Sequence, residues 1–203
     1  DLMDAGGFSR PSLLDMLNVK YVITRKKISN PKFKKVESIK GLYENKNVLP
    51  KSWIVGEIKN VSTQRESLME ILLSSFNPKE IAIVYNYNGP QISNNSKGEV
   101  SITLREENRI ELVSKTDKGG LLVLSEIYYK PGWIAKVNDT ETPIYQANHI
   151  LRSIYVPKGV SNIVFEYDDS DWKQTRLLSR ISLASVILIL GGLFWKDRRR
   201  IMQ

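Results

Sequence analysis

The sequence contains no cysteine and a single histidine among its 203 residues. The absence of cysteine excludes disulfide bonds, zinc–thiolate sites and catalysis by a thiol. A histidine metal site or a serine-type catalytic triad would depend entirely on His149, which lies in "YQANHILRSIYV". Because this segment has the pattern of a strand and a turn, we expect His149 to be structural or solvent-facing.

The sequence also lacks any long run of charge of one sign, although its formal net charge is +8. A basic surplus favours anionic partners such as nucleic acid, anionic lipid or an anionic polymer. The basic clusters are short and separated, and no aromatic or glycine-rich nucleic-acid motif accompanies them, so we expect no nucleic-acid binding. These clusters are Arg25-Lys26-Lys27, Lys34-Lys35 and Arg198-Arg199-Arg200.

Acidic residues are dense at one place only, where Asp168, Asp169 and Asp171 stand close together. Calcium prefers such oxygen-rich groups, but the spacing lacks the glycine and the distal glutamate of an EF-hand loop. We therefore expect a solvated linker here, with calcium binding as the alternative. No metal site and no cofactor are predicted for the chain.

One long hydrophobic run is present, "LLSRISLASVILILGGLFW", covering residues 177–195. As a helix it would be about 28 Å long, close to the hydrocarbon thickness of a bilayer. Its one charged residue, Arg180, is near the start, and Trp195 is placed as an interfacial aromatic residue would be. The run predicts a transmembrane helix in a lipid bilayer; the alternative is a soluble protein whose C-terminal helix packs on its own core.

The charged flanks of this run predict its orientation. Four basic residues follow the run and three lie at or before its start, which favours a cytoplasmic C-terminus by a small margin. Residues 1–172 would then be outside the cytoplasm of a bacterial cell. Because the sequence begins at Asp1 without a signal peptide, we expect an upstream membrane segment in a longer protein. The basic residues are Lys196, Arg198, Arg199 and Arg200 after the run, and Lys173, Arg176 and Arg180 at its start.

Residues 1–90 read as a small α+β unit. A short helical face follows Pro11, with Ser12 as the predicted N-cap. A second helix begins after Thr63, which forms a capping-box pattern with Glu66. Its predicted buried stripe consists of Leu68, Ile71 and Leu72.

Residues 91–172 have the pattern of an antiparallel β-sandwich. Seven or so short apolar-polar runs follow a polar break, separated by turn residues. "GLLVLSEIYY" is mostly apolar, as a central strand would be, and we expect Ile163, Phe165 and Tyr167 to share one face. The predicted fold is therefore mainly β with an α+β N-terminal part, followed by a transmembrane helix and a short basic tail over residues 173–203.

Three blocks, "LLDMLNVKYVI", "GLYENKNVLPKSWIV" and "LLVLSEIYYKPGWIAKVN…YQANHILRSIYVPKGVSNIVFEYD", resemble the C-terminal region of YfhO-like bacterial membrane proteins. The resemblance covers the whole chain. It departs from the family's aspartate–glycine turn at "VNDTETP", residues 137–143, which we expect to be a hairpin tip.

The resemblance implies a multispanning glycosyltransferase of the GT-C type, which takes sugars from polyprenyl-phosphate carriers. Some members are thought to glycosylate lipoteichoic acid or other surface polymers. The catalytic carboxylate of that class lies in an early loop outside this chain, so no catalytic residue is assigned here. The chain itself would be accessory and non-catalytic.

Four residues are candidates for substrate binding: Tyr129, Trp133, Asn148 and Arg152. Trp133 and one of Tyr128 or Tyr129 would fill the sandwich core, and the alternative is that an exposed Trp–Tyr pair stacks on a sugar. Asn148 would hold a turn, and Arg152 would pair with Glu126 across strands. Their alternative is a polyprenyl phosphate, which an arginine can hold with two hydrogen bonds.

Two functions follow from these patterns. The first is an extracytoplasmic domain of a membrane glycosyltransferase that positions a surface glycan or a polyprenyl-phosphate sugar. The alternative is a membrane-anchored, non-enzymatic β-sandwich that binds carbohydrate or has a structural role.

Overall fold

The computed structural model describes residues 10–201, without the side chains of 170, 171, 173, 174 and 193–201. Its helices are α1 (Pro11–Met16), α2 (Gln64–Ile71) and α3 (Ser170–Ile201). The strands up to the polar break are β1 (Tyr21–Ile23), β2 (Phe33–Lys35), β3 (Leu42–Asn45), β4 (Ser52–Val55), β5 (Glu57–Val61) and β6 (Ile81–Tyr85). The later strands are β7 (Gly98–Arg105), β8 (Arg109–Thr116), β9 (Gly120–Ile127), β10 (Trp133–Val137), β11 (Thr140–Thr142), β12 (Tyr145–Ala147), β13 (Leu151–Val156) and β14 (Gly159–Tyr167).

The first sheet is a small antiparallel one with the strand order β1-β3-β2. Alternation along β1 buries Val22 and leaves Tyr21 and Ile23 exposed on the opposite face. The buried face has its own core, which includes a residue from α1. This core consists of Leu14, Val22, Ile28, Phe33 and Tyr43.

The central sheet has six strands in the order β4-β9-β13-β12-β6-β5. Both of its faces are covered, and the first six residues of β9 are therefore all buried, as the apolar run "GLLVLSEIYY" predicts. Strands β5 and β6 are parallel and are connected by α2, which packs on one face of the sheet. On that face the indole of Trp53 donates a hydrogen bond of 2.8 Å to the carbonyl of Pro78.

The third sheet is antiparallel, with the order β11-β10-β14-β8-β7, and it packs on the other face of the central sheet. Ile163 and Phe165 of β14 point into this interface, as their alternation predicts, and Tyr167 at the strand end is half-buried. The predicted β-sandwich is confirmed. Its core consists of Ile54, Ile110, Leu112, Leu122, Leu124, Ala135, Ile154, Val156, Ile163 and Phe165.

The central sheet takes strands from both sides of residue 90. Strand β4 pairs with β9, and β6 pairs with β12. The α+β part and the later strands therefore share one hydrophobic core, in which Val55 packs in the same cluster as Leu121. Non-local pairing of this kind has no signature in local sequence patterns.

Local signals at the helix ends and turns are confirmed in part. Thr63 and Glu66 form the predicted capping box at the start of α2. Two predictions were wrong. Leu68 was expected to be buried, but it is 39% exposed because α2 turns Ser67 and Ile71 towards the sheet. Ser12 was expected to be the N-cap of α1, but the N-cap is Arg10. Pro11 occupies the first helical turn of α1, where its missing N–H leaves no hydrogen bond unmade.

The chain divides into two compact units, and α3 lies in the second, which begins at Tyr167. Within α3 the segment Thr175–Gly192 has a mean hydropathy of 1.4 and is long and apolar enough to cross a membrane. Its side chains are exposed throughout, including Ile187 at 61% and Leu190 at 60%. The side chains of Trp195 and of the basic residues at 198–200 lie outside the described part of the chain.

Candidate functional site

A cleft of about 430 Å³ opens at one end of the β-sandwich. At this end β7 turns into β8, β9 ends, and β10 and β13 begin. Both sheets therefore contribute side chains, and we call this cavity the sandwich cleft. It is lined by Arg105, Glu106, Glu107, Ile110, Glu126, Trp133 and Arg152.

Arg152 forms the floor of the sandwich cleft with Trp133. The centre of its guanidinium lies 3.9 Å from the centroid of the Trp133 ring, which is a cation–π contact. The Arg152 side chain is almost fully buried, at 6% exposure, and its Nε donates a hydrogen bond of 2.9 Å to the carbonyl of Ile127. Burial lowers the pKa of Arg152, and the nearby charge of Glu126 opposes that shift.

One nitrogen of this guanidinium, Nη1, is buried and has no hydrogen-bond partner among the described residues. A buried donor without a partner is destabilising, and the penalty is larger when the group is charged. Arg152 is one of the residues that line the cleft. An acceptor on a bound molecule would supply the missing partner.

Glu126 does not form the predicted ion pair with Arg152. Its carboxylate instead contacts Lys51 Nζ at 3.0 Å and an Arg105 nitrogen at 3.1 Å. The reason is a β-bulge: the register between β9 and β13 shifts after Leu151, and Arg152 lies opposite Leu124.

The two cations keep Glu126 ionised. Burial alone would raise the pKa of Glu126, but the hydrogen bond from Lys51 and the charges of Lys51 and Arg105 outweigh it and lower that pKa. The cleft therefore presents a carboxylate held by two cations, beside a buried guanidinium. This combination accepts and donates hydrogen bonds, which suits a polar ligand rich in hydroxyl groups.

Tyr129 and Asn148, the other two predicted binding residues, are not among the residues that line the cleft. Tyr129 is 56% exposed, beyond the end of β9. Asn148 is fully buried in the turn between β12 and β13, where its Oδ1 accepts a hydrogen bond of 2.9 Å from the backbone N–H of Ile83. The Asn148 backbone also donates a hydrogen bond of 2.7 Å to the Ile83 carbonyl. Its side chain thus extends the pairing between β6 and β12, whereas the sequence predicted that it would hold its own turn.

The remaining sequence candidates are placed as follows. His149 is half-buried and follows Asn148 in the same turn, with φ of 73°. Within the described residues no group of three or more acidic or histidine side chains could hold a metal ion. The side chain of Asp171 lies outside the described part of the chain. The hairpin tip predicted at "VNDTETP" is confirmed, with positive φ at Asn138 and Asp139 between β10 and β11.

Sequence reasoning missed the rim of the cleft. Arg105, Glu106 and Glu107 lie at the turn between β7 and β8, and Lys51 precedes β4. The signal for the turn was present, because "REENR" is a polar, charged break between two alternating runs. The sequence does not show which other strand ends lie beside this turn, because long-range strand pairing determines that.

The fold and the cleft define a mainly β protein with a sandwich body and one helix long enough to span a membrane. No protein-family model matches the chain, and neither a curated protein nor a solved structure matches it.

Proposed function

We propose that this chain is the extracytoplasmic, accessory domain of a polytopic membrane glycosyltransferase, and that the sandwich cleft binds a sugar of its substrate. The substrate is a cell-surface glycan or a polyprenyl-phosphate sugar. The observation that carries the proposal is the buried guanidinium of Arg152, a residue that lines an open cleft, in which one nitrogen has no hydrogen-bond partner in the described part of the chain.

The residues of the cleft suit recognition rather than bond cleavage. Arg152 would donate to a hydroxyl, carboxylate or phosphate oxygen, and a charge-assisted hydrogen bond of this kind is stronger than a neutral one. Glu126 would accept from a hydroxyl group while Lys51 and Arg105 hold it in place. Trp133 packs against one face of the guanidinium and limits its movement. The chemistry of sugar transfer is assigned to a part of the protein outside this chain.

Membrane attachment is the second element of the proposal. The apolar α3 supports it, because a fully exposed helix of this composition is stable in hydrocarbon. The basic flanks favour a cytoplasmic C-terminus, with residues 1–172 outside the bacterial cytoplasmic membrane. The resemblance to YfhO-like proteins supplies the glycosyltransferase assignment.

The test follows ligand binding at Trp133. The full chain, labelled with 5-fluorotryptophan and held in detergent micelles, is titrated with glycosylated lipoteichoic acid and with the unsubstituted glycerol phosphate polymer. The ¹⁹F resonance of Trp133, assigned with Trp133→Phe, should shift with the glycosylated polymer only. The resonance of Trp53, which lies on the other face of the central sheet, is the internal control.

Arg152→Lys keeps the charge but loses the fixed guanidinium geometry, and we expect roughly tenfold weaker binding. Arg109→Lys, in an ion-pair network with Glu111 and Glu166, is the matched control and should bind normally. The proposal fails if neither the glycosylated polymer nor a short-chain polyprenyl-phosphate sugar shifts the Trp133 resonance, or if Arg152→Lys binds as the wild type does. Sugar transfer by this chain alone would contradict its accessory role.

A further inference from the structure

The net charge of the chain is concentrated in the small N-terminal sheet. Residues 20–46 hold nine lysine and arginine residues and two glutamates, a net charge of +7 out of +8 for the whole sequence. The remaining residues are nearly neutral in sum. Clusters that look short and separated in the sequence, at 25–27 and at 34–35, belong to this one sheet and its connecting loops.

Several of these cations gather at one end of the sheet, where β1 ends and β3 begins. Ile23 lies opposite Leu42 in the pairing of β1 with β3, and the N–H of Thr24 donates a hydrogen bond of 2.9 Å to the carbonyl of Gly41. This end contains a cavity of about 810 Å³. The described residues of its lining include three cations and no anion: Ile23, Thr24, Arg25, Lys27, Lys40, Gly41 and Tyr43.

The close approach of the two strands depends on Gly41. Its φ is +78°, and an added Cβ would lie 2.5 Å from the carbonyl oxygen of Thr24. Glycine is the residue that tolerates both conditions. The loop carrying Lys40 is thereby held against the end of β1.

No described residue neutralises the cations of this end. Arg25, Lys27 and Lys40 are exposed and form no ion pair with the described residues. Elsewhere in the same sheet Lys35 pairs with Glu37, and Lys46 pairs with Glu44. The end therefore offers a concentrated positive charge to an external anion.

Exposed apolar side chains accompany these cations. Ile23, the last residue of β1, is 78% exposed, and Ile39, the neighbour of Lys40, is 53% exposed. We define the basic tip as Ile23, Arg25, Lys27, Ile39 and Lys40. Cations mixed with exposed aliphatic residues match a bilayer interface, which offers anionic headgroups and the start of the hydrocarbon. A soluble polyanion would use the charges and leave the isoleucines in water.

We propose that the basic tip docks on an anionic phospholipid surface. The inference uses the membrane attachment proposed above only as a tether that raises the local concentration of lipid, and it does not depend on sugar binding in the sandwich cleft. Arg25, Lys27 and Lys40 contact the headgroups, and Ile23 and Ile39 enter the interface.

The absence of cysteine makes a site-specific test straightforward. The full chain carries an environment-sensitive fluorophore on Ser38→Cys, next to the tip, or on Ser101→Cys in β7 as the control position. Each protein is reconstituted in nanodiscs of phosphatidylcholine, or of an equal mixture with phosphatidylglycerol. We expect a blue shift of the Ser38→Cys label in the anionic discs and no shift of the Ser101→Cys label.

Charge removal then measures the docking equilibrium. Each basic residue near an anionic surface contributes about fivefold, so Arg25, Lys27 and Lys40 changed together to Gln should weaken docking about a hundredfold. A matched triple change of the exposed Lys115, Lys118 and Lys158 to Gln should leave docking unchanged. High salt should reverse the shift, because the Debye length falls to about 3 Å at 1 M.

Replacing the exposed isoleucines of the basic tip distinguishes docking on lipid from binding of a soluble polymer. Ile23→Ser with Ile39→Ser should reduce the blue shift while the charge is intact. The proposal is overturned if the shift is equal in neutral and anionic discs, or if both triple variants behave alike. It is also overturned if soluble glycerol phosphate polymer shifts the label in neutral discs while anionic lipid does not.

Discussion

The sandwich cleft and the basic tip both contain arginine, but in opposite environments. Arg152 is buried, stacked on Trp133 and close to a carboxylate, whereas Arg25 is exposed and accompanied by other unpaired cations. A desolvated charge interacts strongly at short range and is weakly screened by salt, while exposed charges act further out and are screened readily. The environment of Arg152 therefore favours a specific ligand, as proposed for the cleft, whereas that of Arg25 favours a charged surface, as proposed for the tip.

Arg152→Met tests whether the buried guanidinium serves ligand binding or the stability of the fold, and it should have the largest effect on binding. If the guanidinium exists for a ligand, its removal should weaken binding of the glycosylated polymer by at least about tenfold. The free energy of unfolding should stay within about 1 kcal/mol of wild type or rise, because a well-packed apolar side chain often replaces a buried charge without loss. Urea unfolding followed by tryptophan fluorescence and the ¹⁹F titration measure the two quantities.

Ile154→Ala is the control for this variant, since Ile154 lies two residues along β13 on the same face of the central sheet. It is fully buried, and its truncation should lower the free energy of unfolding by about 2–5 kcal/mol. If Arg152→Met lowered the free energy of unfolding by a similar amount, the guanidinium would be a structural group, and its burial would no longer support a ligand site.

The sequence predicts local features of this fold well and long-range pairing poorly. The capping box at Thr63, the apolar run of β9 and the alternation of Ile163 with Phe165 are set by neighbours in the chain. The pairing of β4 with β9 joins residues about 70 positions apart and left no local pattern. That pairing is what merges the α+β part and the sandwich into one core.

The candidate site shows the same division. Trp133 and Arg152 were predicted as candidates from residue type, and the structure brings them together. The role of Glu126 was wrong because the prediction assumed an unbroken register, and a bulge between β9 and β13 cannot be read from alternation alone. The basic tip was missed because its cations come from two separate stretches, 25–27 and residue 40, which the close approach at Gly41 brings together.

A second prediction separates Asn148 from the cleft residues. Asn148→Ala removes the acceptor for the Ile83 N–H and leaves that donor buried, so the free energy of unfolding should fall by about 1–3 kcal/mol. Binding of the glycosylated polymer to the folded protein should be unchanged. Asn148→Asp keeps an acceptor oxygen and is the matched variant for the hydrogen bond. If a stably folded Asn148→Ala protein bound the polymer more weakly than wild type, Asn148 would have to be a binding residue.

The smallest predicted effect concerns the protonation of Glu126. Because its pKa is lowered in the folded state, Glu126 stabilises the protein above the unfolded-state pKa, and this contribution is lost as the pH falls through the folded-state pKa. The pair with Lys51 and Arg105 is partly exposed, so the contribution should be about 1 kcal/mol or less. The difference in unfolding free energy between wild type and Glu126→Gln, measured from neutral to acidic pH, should shrink on the acidic side. Lys51→Met should reduce that difference in unfolding free energy, because Lys51 lowers the pKa of Glu126 more than Arg105 does. A difference that did not change with pH would show that the cations do not hold Glu126, and that the cleft lacks its fixed carboxylate.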